Sequence, residues 1–341
     1  MDPMSLNDFW YIAAPSSEIR KRPVARRLMN ERVVLFRDAD GRAHALEDRC
    51  AHRNMALSRG TVVDGRIECP YHGWRYEGGG TCVHVPSLGA SARLPRLCVR
   101  AFATRESDGY IWVHLGASAP AGEPFRFPHC NERGWTTFRM KTRFAGTVEH
   151  CLENFLDCPH TAYVHSGWFR TRDTRELRAV TRERDHEVEI EFQGEPINNS
   201  LAFRLFAPVG ATLRHTDRFI MPNVSRVDYD FGPSHHFIIT SQCTPVSDDE
   251  TEVYTVISYR FGRLGALVRL VFEPMCRRII RQDVDIMRVQ AEQLRHFGGP
   301  QFRHVETDLV GLRIQAMRRR AMHPDTPTPV RDSEREIRIR F

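Results

Sequence analysis

The sequence predicts an α+β chain in two parts: an all-β N-terminal domain, then an antiparallel sheet closed by a long C-terminal helix. Three observations carry this. Short apolar runs punctuated by turn residues extend from Asp8 to about Leu115, alternating segments dominate the middle, and one long helical pattern follows them.

Taken in order, Arg32 to Arg37 (RVVLFR) and Ala43 to Leu46 flank Asp38-Ala39-Asp40-Gly41, a hairpin signal. Tyr110 to Leu115 (YIWVHL) follows the turn Ser107-Asp108-Gly109. The run Ala117 to Pro124 (ASAPAGEP) marks a domain boundary, giving expected domains of 1–118 and 125–320 with a tail over 321–341. Thr147 to His165 begins as a helix. Arg184 to Phe192, Thr216 to Ile220, Val224 to Tyr229, His236 to Cys243 and Val253 to Phe261 alternate as antiparallel strands do. The closing helix is expected from about Pro274 to His296, with Pro274 at its first position, where a missing N–H costs nothing. The tail, opened by PDTPTP, is expected to be a linker and a short final strand or arm.

Composition narrows the function classes. The chain has 341 residues, 41% hydrophobic and 27% charged, enough apolar material for real cores and too much for disorder. The net charge of +6 sets 49 basic residues against 43 acidic ones, interspersed throughout, and the only lysines are Lys21 and Lys141. The stretch from Arg318 to Phe341 holds seven Arg against four acids, half of the excess. A nucleic-acid groove is not expected. No run approaches the roughly 20 apolar residues of a membrane span, and MDPMSLNDFWYIAAP lacks the order of a signal peptide, so a cytoplasmic location is expected. Nine cysteines, an odd number, argue against a disulfide framework.

Two of those cysteines, each closely followed by a histidine, fall on neighbouring loops. Cys50 and His52, then Cys69 and His72, form C-x-H and C-P-Y-H-G-W with sixteen residues between them. Thiolates and imidazoles in a 2:2 ratio suit zinc or an iron–sulfur cluster in which two His replace two Cys on one iron. Zinc modules usually pair Cys with Cys and His with His; here each loop supplies one of each, which favours the cluster.

A second constellation follows. Asn154, Asp157 and His160 are spaced i,i+3, one face of a helix, and His165 is five residues beyond His160. Both histidines can reach one ion only if the helix ends or bulges between them, and Pro159 would kink a regular helix. Two His and a carboxylate with open positions form the facial triad of O2-activating non-haem iron. In the closing helix the apolar stripe runs through Cys276, Ile279/Ile280, Ile286/Met287 and Leu294, and Asp283 falls on it. A carboxylate on a buried face must be paired, protonated or metal-bound, so Asp283 is the expected third ligand, with Asp285 a solvated charge.

CAHRNMALSRG…ECPYHGWRY resembles the Rieske loops of the aromatic-ring-hydroxylating and O-demethylating oxygenases, with Gly60, Pro70, Gly73 and Trp74 also matching. ENFLDxxHxxxxH and a late QDxxxxxxQ ending at Gln290 are similar to that family's mononuclear-iron motif. The resemblance spans about Asp8 to Gln290 and implies a Rieske β-domain followed by a helix-grip catalytic domain. It implies a [2Fe-2S] cluster with one iron on Cys50 and Cys69 and the other on His52 and His72. A mononuclear Fe(II) on His160, His165 and Asp283 is implied too. Asp157 would bridge His160 to His72 of a neighbouring subunit in a head-to-tail homotrimer, with Asn154 a polar residue near the iron. The layout is similar to compact oxygenases such as the vanillate and dicamba O-demethylases. The implied activity is a terminal oxygenase taking electrons from a separate ferredoxin or flavin reductase, with O2 and a small aromatic or alicyclic substrate. Hydroxylation or O-demethylation is the leading outcome, with cis-dihydroxylation or oxidative cyclisation as alternatives. A Rieske electron carrier, or a zinc-stabilised binding module, is the competing class.

Other residues carry weaker expectations. His235 and His236 head a strand expected to line the cavity, although surface or turn placement is favoured. His150, His186 and His304 are unassigned, and Asn198, Asn199 and Asn223 are ambiguous. Cys151 and Cys158 are expected to pack, as are Trp168 and Phe169 unless they cap the pocket. Arg49, Arg53 and Arg75 near the cluster loops are a candidate face for an acidic ferredoxin.

Overall fold

The computed structural model describes residues 5–88, 93–94, 96–168, 176–197, 207–208, 210–262, 265–323 and 332–340. The chain divides into two compact units, Met4–Arg126 and Phe127–Phe341. Phe169, Asn198 and Asn199 lie outside the described residues.

The first unit has two antiparallel sheets. One contains β1 (Trp10–Pro15), β2 (Val24–Leu28), β3 (Glu31–Arg37), β4 (Ala43–Glu47), β9 (Ala101–Ser107) and β10 (Tyr110–His114), in the order β1-β10-β9-β4-β3-β2. The other contains β5 (Thr61–Val63), β6 (Arg66–Glu68), β7 (Arg75–Tyr76) and β8 (Cys82–His84) in sequence order. Both sequence-predicted hairpins form. In the first, Asp38 closes the β3–β4 turn by accepting from the backbone N–H of Asp40 and Arg42 at 3.0 and 2.9 Å. The segment Ala117 to Pro124 is tied to this unit, with the Trp10 indole donating to the Gly122 carbonyl at 2.7 Å.

The second unit is one eight-stranded antiparallel sheet. Its strands are β11 (Thr136–Ala145), β12 (Glu176–Arg184), β13 (Glu187–Gln193), β14 (Arg214–Ile220), β15 (Val224–Asp230), β16 (His235–Ser247), β17 (Glu250–Phe261) and β18 (Ser333–Arg340). Their order is β11-β17-β16-β15-β14-β13-β12-β18. Its helices are α1 (Val148–Leu156), α2 (Gly265–His296) and α3 (Gly311–Met322). Phe138, Phe144, Phe237, Tyr259 and Phe272 from strands and α2 form a largely edge-to-face aromatic core.

Four expectations change here. The strand expected at Arg184 is a hairpin: β12 precedes it, and Asp185 and His186 form the turn. The closing helix starts at Gly265, so Pro274 lies inside α2 and not at its first position. Ile286, placed on the apolar stripe, is 46% exposed, and the buried stripe is Cys276, Ile279, Asp283, Met287 and Ala291. The start of the tail moves, since Met322 ends α3, while the expected final strand forms as β18 and completes the sheet against β12. Cross-strand pairs Arg182–Glu334 at 3.2 Å and Arg338–Glu176 at 2.9 Å, with Arg178–Glu336, line that seam. No helix among the described residues is long and apolar enough to cross a membrane.

Candidate metal centres

In the first unit two loops share one hydrogen-bond pattern. Cys50 N–H donates to Met55 O at 2.8 Å and Asn54 N–H to Cys50 O at 2.9 Å; Cys69 N–H donates to Trp74 O at 2.8 Å and Gly73 N–H to Cys69 O at 3.0 Å. At the equivalent fourth position each loop turns through positive φ, 58° at Asn54 and 67° at Gly73. Glycine adopts this conformation freely and Asn tolerates it. The pattern leaves each cysteine buried and sends the histidine two or three residues on toward the surface, with His52 half-buried and His72 exposed.

The four side chains converge. The His52 and His72 rings are 4.6 Å apart, and Trp74 stacks on His52 at 4.5 Å with planes 2° apart, fixing that ring. His52 Nδ1 is buried with no hydrogen-bond partner among the described residues, an orphan that a metal ion would satisfy. The Tyr76 hydroxyl and Cys50 Sγ share a hydrogen bond at 3.1 Å, in which a metal-bound thiolate would be the acceptor. Burial pushes the Cys69 thiol pKa up, as expected of a sulfur sealed from water until a metal takes its proton. Two inner sulfurs and two outer imidazoles therefore fit a [2Fe-2S] group. Arg49 and Arg75 are paired to Glu47 and Glu68 at 2.7 and 2.6 Å, and Arg53 is exposed.

In the second unit, α1 begins at the cap Thr147, whose hydroxyl accepts from His150 N–H, and buries Val148, Cys151, Leu152 and Leu156. It stops at Leu156. Asp157 leaves the helix at φ −88°, ψ 88°, and a 3-10 turn over Cys158–Ala162 follows, with Pro159 near its start. Proline lacks the N–H a continuing helix needs and biases Cys158 away from it. The break falls before His160 as well as after it, so Asn154, Asp157 and His160 do not share one helix.

The break swings two imidazoles onto one point. His160 Nε2 is 3.4 Å from His165 Nε2, and Asp283 Oδ1 lies 3.5 and 3.0 Å from them. Donor atoms about 2 Å from one ion and at right angles to each other stand about 3 Å apart, so this triangle fits a facial triad. Burial pushes the Asp283 carboxyl up, but the facing histidines win and hold it below its ordinary value; Asp283 likewise raises His160 against burial. Each far nitrogen is anchored: His160 Nδ1–H donates to the Asp157 carbonyl, and His165 Nδ1–H donates to Gln282 Oε1 at 2.9 Å. Both Nε2 lone pairs are thereby aimed at the common point. Gln282 is a residue the sequence reading missed, although it stands in the QD pair beside Asp283.

Asp157 and Asn154 stand elsewhere. The Asp157 carboxylate is 4.0 Å from His160 Nδ1 and its side chain 44% exposed; with Asn154 it lines an outer cavity that His160 also borders. Partial burial raises the Asp157 carboxyl, Asp308 and Asp217 adding to the effect and His160 opposing it. Asn154 Oδ1 has no partner among the described residues.

A second, inner cavity of about 110 Å³ opens beside the triad, between α2 and β11, β15, β16 and β17. The strand that His235 and His236 head lines it through Ile239 and Ser241, but the two histidines are not among the described lining residues, as the favoured surface or turn placement expects: His235 meets Ser234, and His236 faces Asp228 at 3.3 Å. Asn223 is buried and donates to the Cys243 carbonyl, Trp168 packs on the core, and no cysteine is in a disulfide.

Behind the 3-10 turn sits a buried charge cluster unforeseen in the sequence. His215 is fully buried, with Nδ1 2.7 Å from Glu195 and Nε2 2.9 Å from Asp217, and stacks between Phe192 and Tyr229. Burial opposes its charge, but Asp217 and Glu195 push its pKa up to about 9. Cys158 Sγ donates to Asp217 at 3.8 Å, joining the cluster to the turn. With both ring nitrogens donating to carboxylates, His215 is an ion-paired imidazolium, not a metal ligand. The sequence signal was His215 and Asp217 two apart on one strand face, polar where the pattern calls for apolar.

Comparison with known proteins gives two family matches. Residues 9–102 match the Rieske [2Fe-2S] domain, and residues 144–323 match the vanillate O-demethylase oxygenase C-terminal domain. Among curated relatives, the chain is 36% identical over 184 residues to a putative toluene-4-sulfonate monooxygenase system iron-sulfur subunit, TsaM2, of Comamonas testosteroni; the match covers 53% of this chain and 52% of that protein. It is 36% identical over 159 residues to the dicamba O-demethylase oxygenase component of Stenotrophomonas maltophilia, 46% of each chain. The chain spans about half the length of the curated relatives it matches, or less. The fold resembles crystalline dicamba monooxygenase bound to dicamba, with a TM-score of 0.80 at 22% identity, covering 94% of this chain and 99% of that one. It also resembles NdmA of Pseudomonas putida CBB5 with caffeine, with a TM-score of 0.76 at 22% identity over 93% and 95%. Members of this family carry a Rieske [2Fe-2S] cluster and a mononuclear iron. The chain thus belongs to the Rieske oxygenases that bear a vanillate O-demethylase oxygenase C-terminal domain.

Proposed function

We propose that this chain is a terminal oxygenase component that uses O2 and electrons from a separate ferredoxin or reductase to hydroxylate or O-demethylate a small aromatic or alicyclic molecule. The observation that carries the reading is the His160, His165 and Asp283 triangle opening on a mostly apolar cavity. An electron carrier has no use for either. Relatives named for toluene-4-sulfonate, dicamba and methylxanthine, all ring compounds, support the substrate class.

When bound, the [2Fe-2S] cluster would supply one-electron transfer and the ferrous ion O2 activation. Cys50 and Cys69 would hold the buried iron of the cluster, and His52 and His72 the outer one, where the exposed His72 ring is open to a donor protein. His160, His165 and Asp283, which border the cavity, would hold the mononuclear ion. Gln282 and the Asp157 carbonyl keep both imidazoles in the Nε2-ligating tautomer. The apolar walls exclude water from the reacting substrate. Asp157, part-exposed beside His160, would accept a hydrogen bond from His72 of a neighbouring copy in a homotrimer, with Asn154 lining the same approach. That none of the nine cysteines is in a disulfide supports a reducing, cytoplasmic location.

The test is His160→Ala, assayed with a surrogate ferredoxin system and a methoxy-aromatic panel scored for formaldehyde and hydroxylated product. Turnover should vanish while the Rieske absorption and EPR signals persist. Turnover equal to wild type would refute the assignment, and a colourless, iron-free wild type would refute the family chemistry for this chain.

A further inference from the structure

The inner cavity has an unusual floor. On the inward face of the sheet, Ser225 on β15 pairs in register with Ser241 on β16, and Ser241 with Thr255 on β17. The three hydroxyls thus form one row across three neighbouring strands, about 10 Å long at the usual strand spacing. All three line the cavity and are at most 3% exposed. The next inward row, two residues along, is entirely apolar: Val227, Ile239 and Ile257.

A buried hydroxyl is costly unless it is bonded. Ser241 and Thr255 satisfy each other at 2.9 Å, which leaves that pair further donor and acceptor capacity. Ser225 has no hydrogen-bond partner among the described residues, although it is 2% exposed and borders the cavity. Among the described lining residues, the only Asp, Glu, His, Lys or Arg side chains are His160, His165 and Asp283, already turned on one another. No Lys or Arg is among them. An anionic group seated on the hydroxyl row would meet no cationic side chain there, a heavy desolvation cost, whereas a neutral hydroxyl or carbonyl would meet hydroxyls able to donate or accept.

We propose that Ser225, Ser241 and Thr255 are the specificity residues of the oxygenase site, selecting a neutral, largely apolar ring compound with one hydrogen-bonding group over its anionic counterpart. The proposal rests on the oxygenase reading for the use made of the site. The polar group sits on the hydroxyl row and the ring lies against Val227, Ile239 and Ile257.

Three probes test it on the iron-loaded holoenzyme by equilibrium dialysis: 4-methoxyphenol, 4-methoxybenzoate and methoxybenzene. The phenol should bind at least tenfold more tightly than the benzoate. Ser225→Ala and Ser241→Ala should each weaken the phenol about two- to tenfold, the range of one neutral hydrogen bond, and leave methoxybenzene unchanged. Ser225→Ala removes no side-chain hydrogen bond among the described residues, so it separates ligand contact from folding. Benzoate binding as tight as phenol, equal losses for phenol and methoxybenzene, or no phenol binding at millimolar concentration would each overturn the proposal. Binding is read without turnover, so a protein that shows this preference but oxidises nothing refutes the oxygenase reading and leaves the specificity intact.

Discussion

The fully buried His215 imidazolium makes the catalytic unit's stability depend on pH in a calculable way. Its pKa is pushed from an ordinary 6.5 to about 9, since Asp217 and Glu195 outweigh a desolvation that acts the other way. A group whose folded pKa exceeds its unfolded one contributes fully below the unfolded value and loses that contribution as pH rises through the folded one. The window is therefore pH 6.5 to 9. At about 1.4 kcal/mol per unit, His215 contributes about 3 kcal/mol at pH 6 and almost none above pH 9.5. Urea unfolding of wild type and His215→Gln at half-unit intervals from pH 6 to 9.5 isolates it. The wild-type curve should fall relative to the variant by about 1.4 kcal/mol per pH unit across the window. His215→Gln should also be weaker by about 3–5 kcal/mol at neutral pH, because two buried carboxylates lose their cation. If the variant does not fold, the wild-type His215 ring nitrogens followed by NMR should titrate near 9. A difference between the two proteins that does not change with pH, or a ring titrating near 6.5, refutes the reasoning.

Three other perturbations follow from the two centres. Gln282→Ala removes the acceptor for His165 Nδ1–H and should lower iron affinity about 10- to 100-fold in chelator competition, with the cluster absorption unchanged; equal affinity would show that the amide does not orient the ring. Tyr76→Phe deletes the hydroxyl that donates to Cys50 Sγ, a contact that favours the more negative reduced cluster. Its potential should fall by about 40 mV for about 1 kcal/mol in an EPR-monitored redox titration, and an unchanged or raised potential would count against the contact. Gly60→Ala would set a methyl 1.9 Å from the Glu68 carbonyl oxygen, immediately before Cys69; it should cost about 1–3 kcal/mol and lower the melting temperature, while an unshifted melt would mean the backbone yields freely there.

How much of this was legible in the sequence varied with the kind of signal. Cys50, His52, Cys69 and His72 stood out because ligand chemistry allows few residue types at fixed spacing, and the structure brings them together. Asp283 was legible from a carboxylate on an apolar stripe. Gln282 was not, since periodicity says nothing about which way an amide turns. Nor was the start of α2: Leu267, Leu270 and Val271 are 61–75% exposed, so the first turns carry apolar residues outward as well as inward at Val268 and Phe272, which blurs the stripe, while Pro274 imitates a helix start. β12 was missed for a related reason. Its sequence ELRAVTRER alternates charge with apolar residues only in part, and it acquires its meaning from β18, more than 150 residues away. The hydroxyl row was invisible because Ser225, Ser241 and Thr255 become neighbours only through strand register.

The seam between β12 and β18 ties the association behaviour of the catalytic unit to ionic strength. β18 is the last strand of the open sheet and is seated on β12 partly by Arg178, Arg182, Arg338 and Arg340 paired with Glu334, Glu336 and Glu176. These pairs are largely exposed, so salt screens them, whereas the buried Ile337 and Ile339 of β18 keep a salt-insensitive hold. Raising salt therefore loosens the strand without abolishing its register. Whenever it lifts, the backbone of β12 becomes an unpaired edge able to take a strand from another molecule. A concentrated, high-salt solution is thus the condition in which this protein is most exposed to edge-to-edge association, and dilute buffer the one in which its own last strand guards it best.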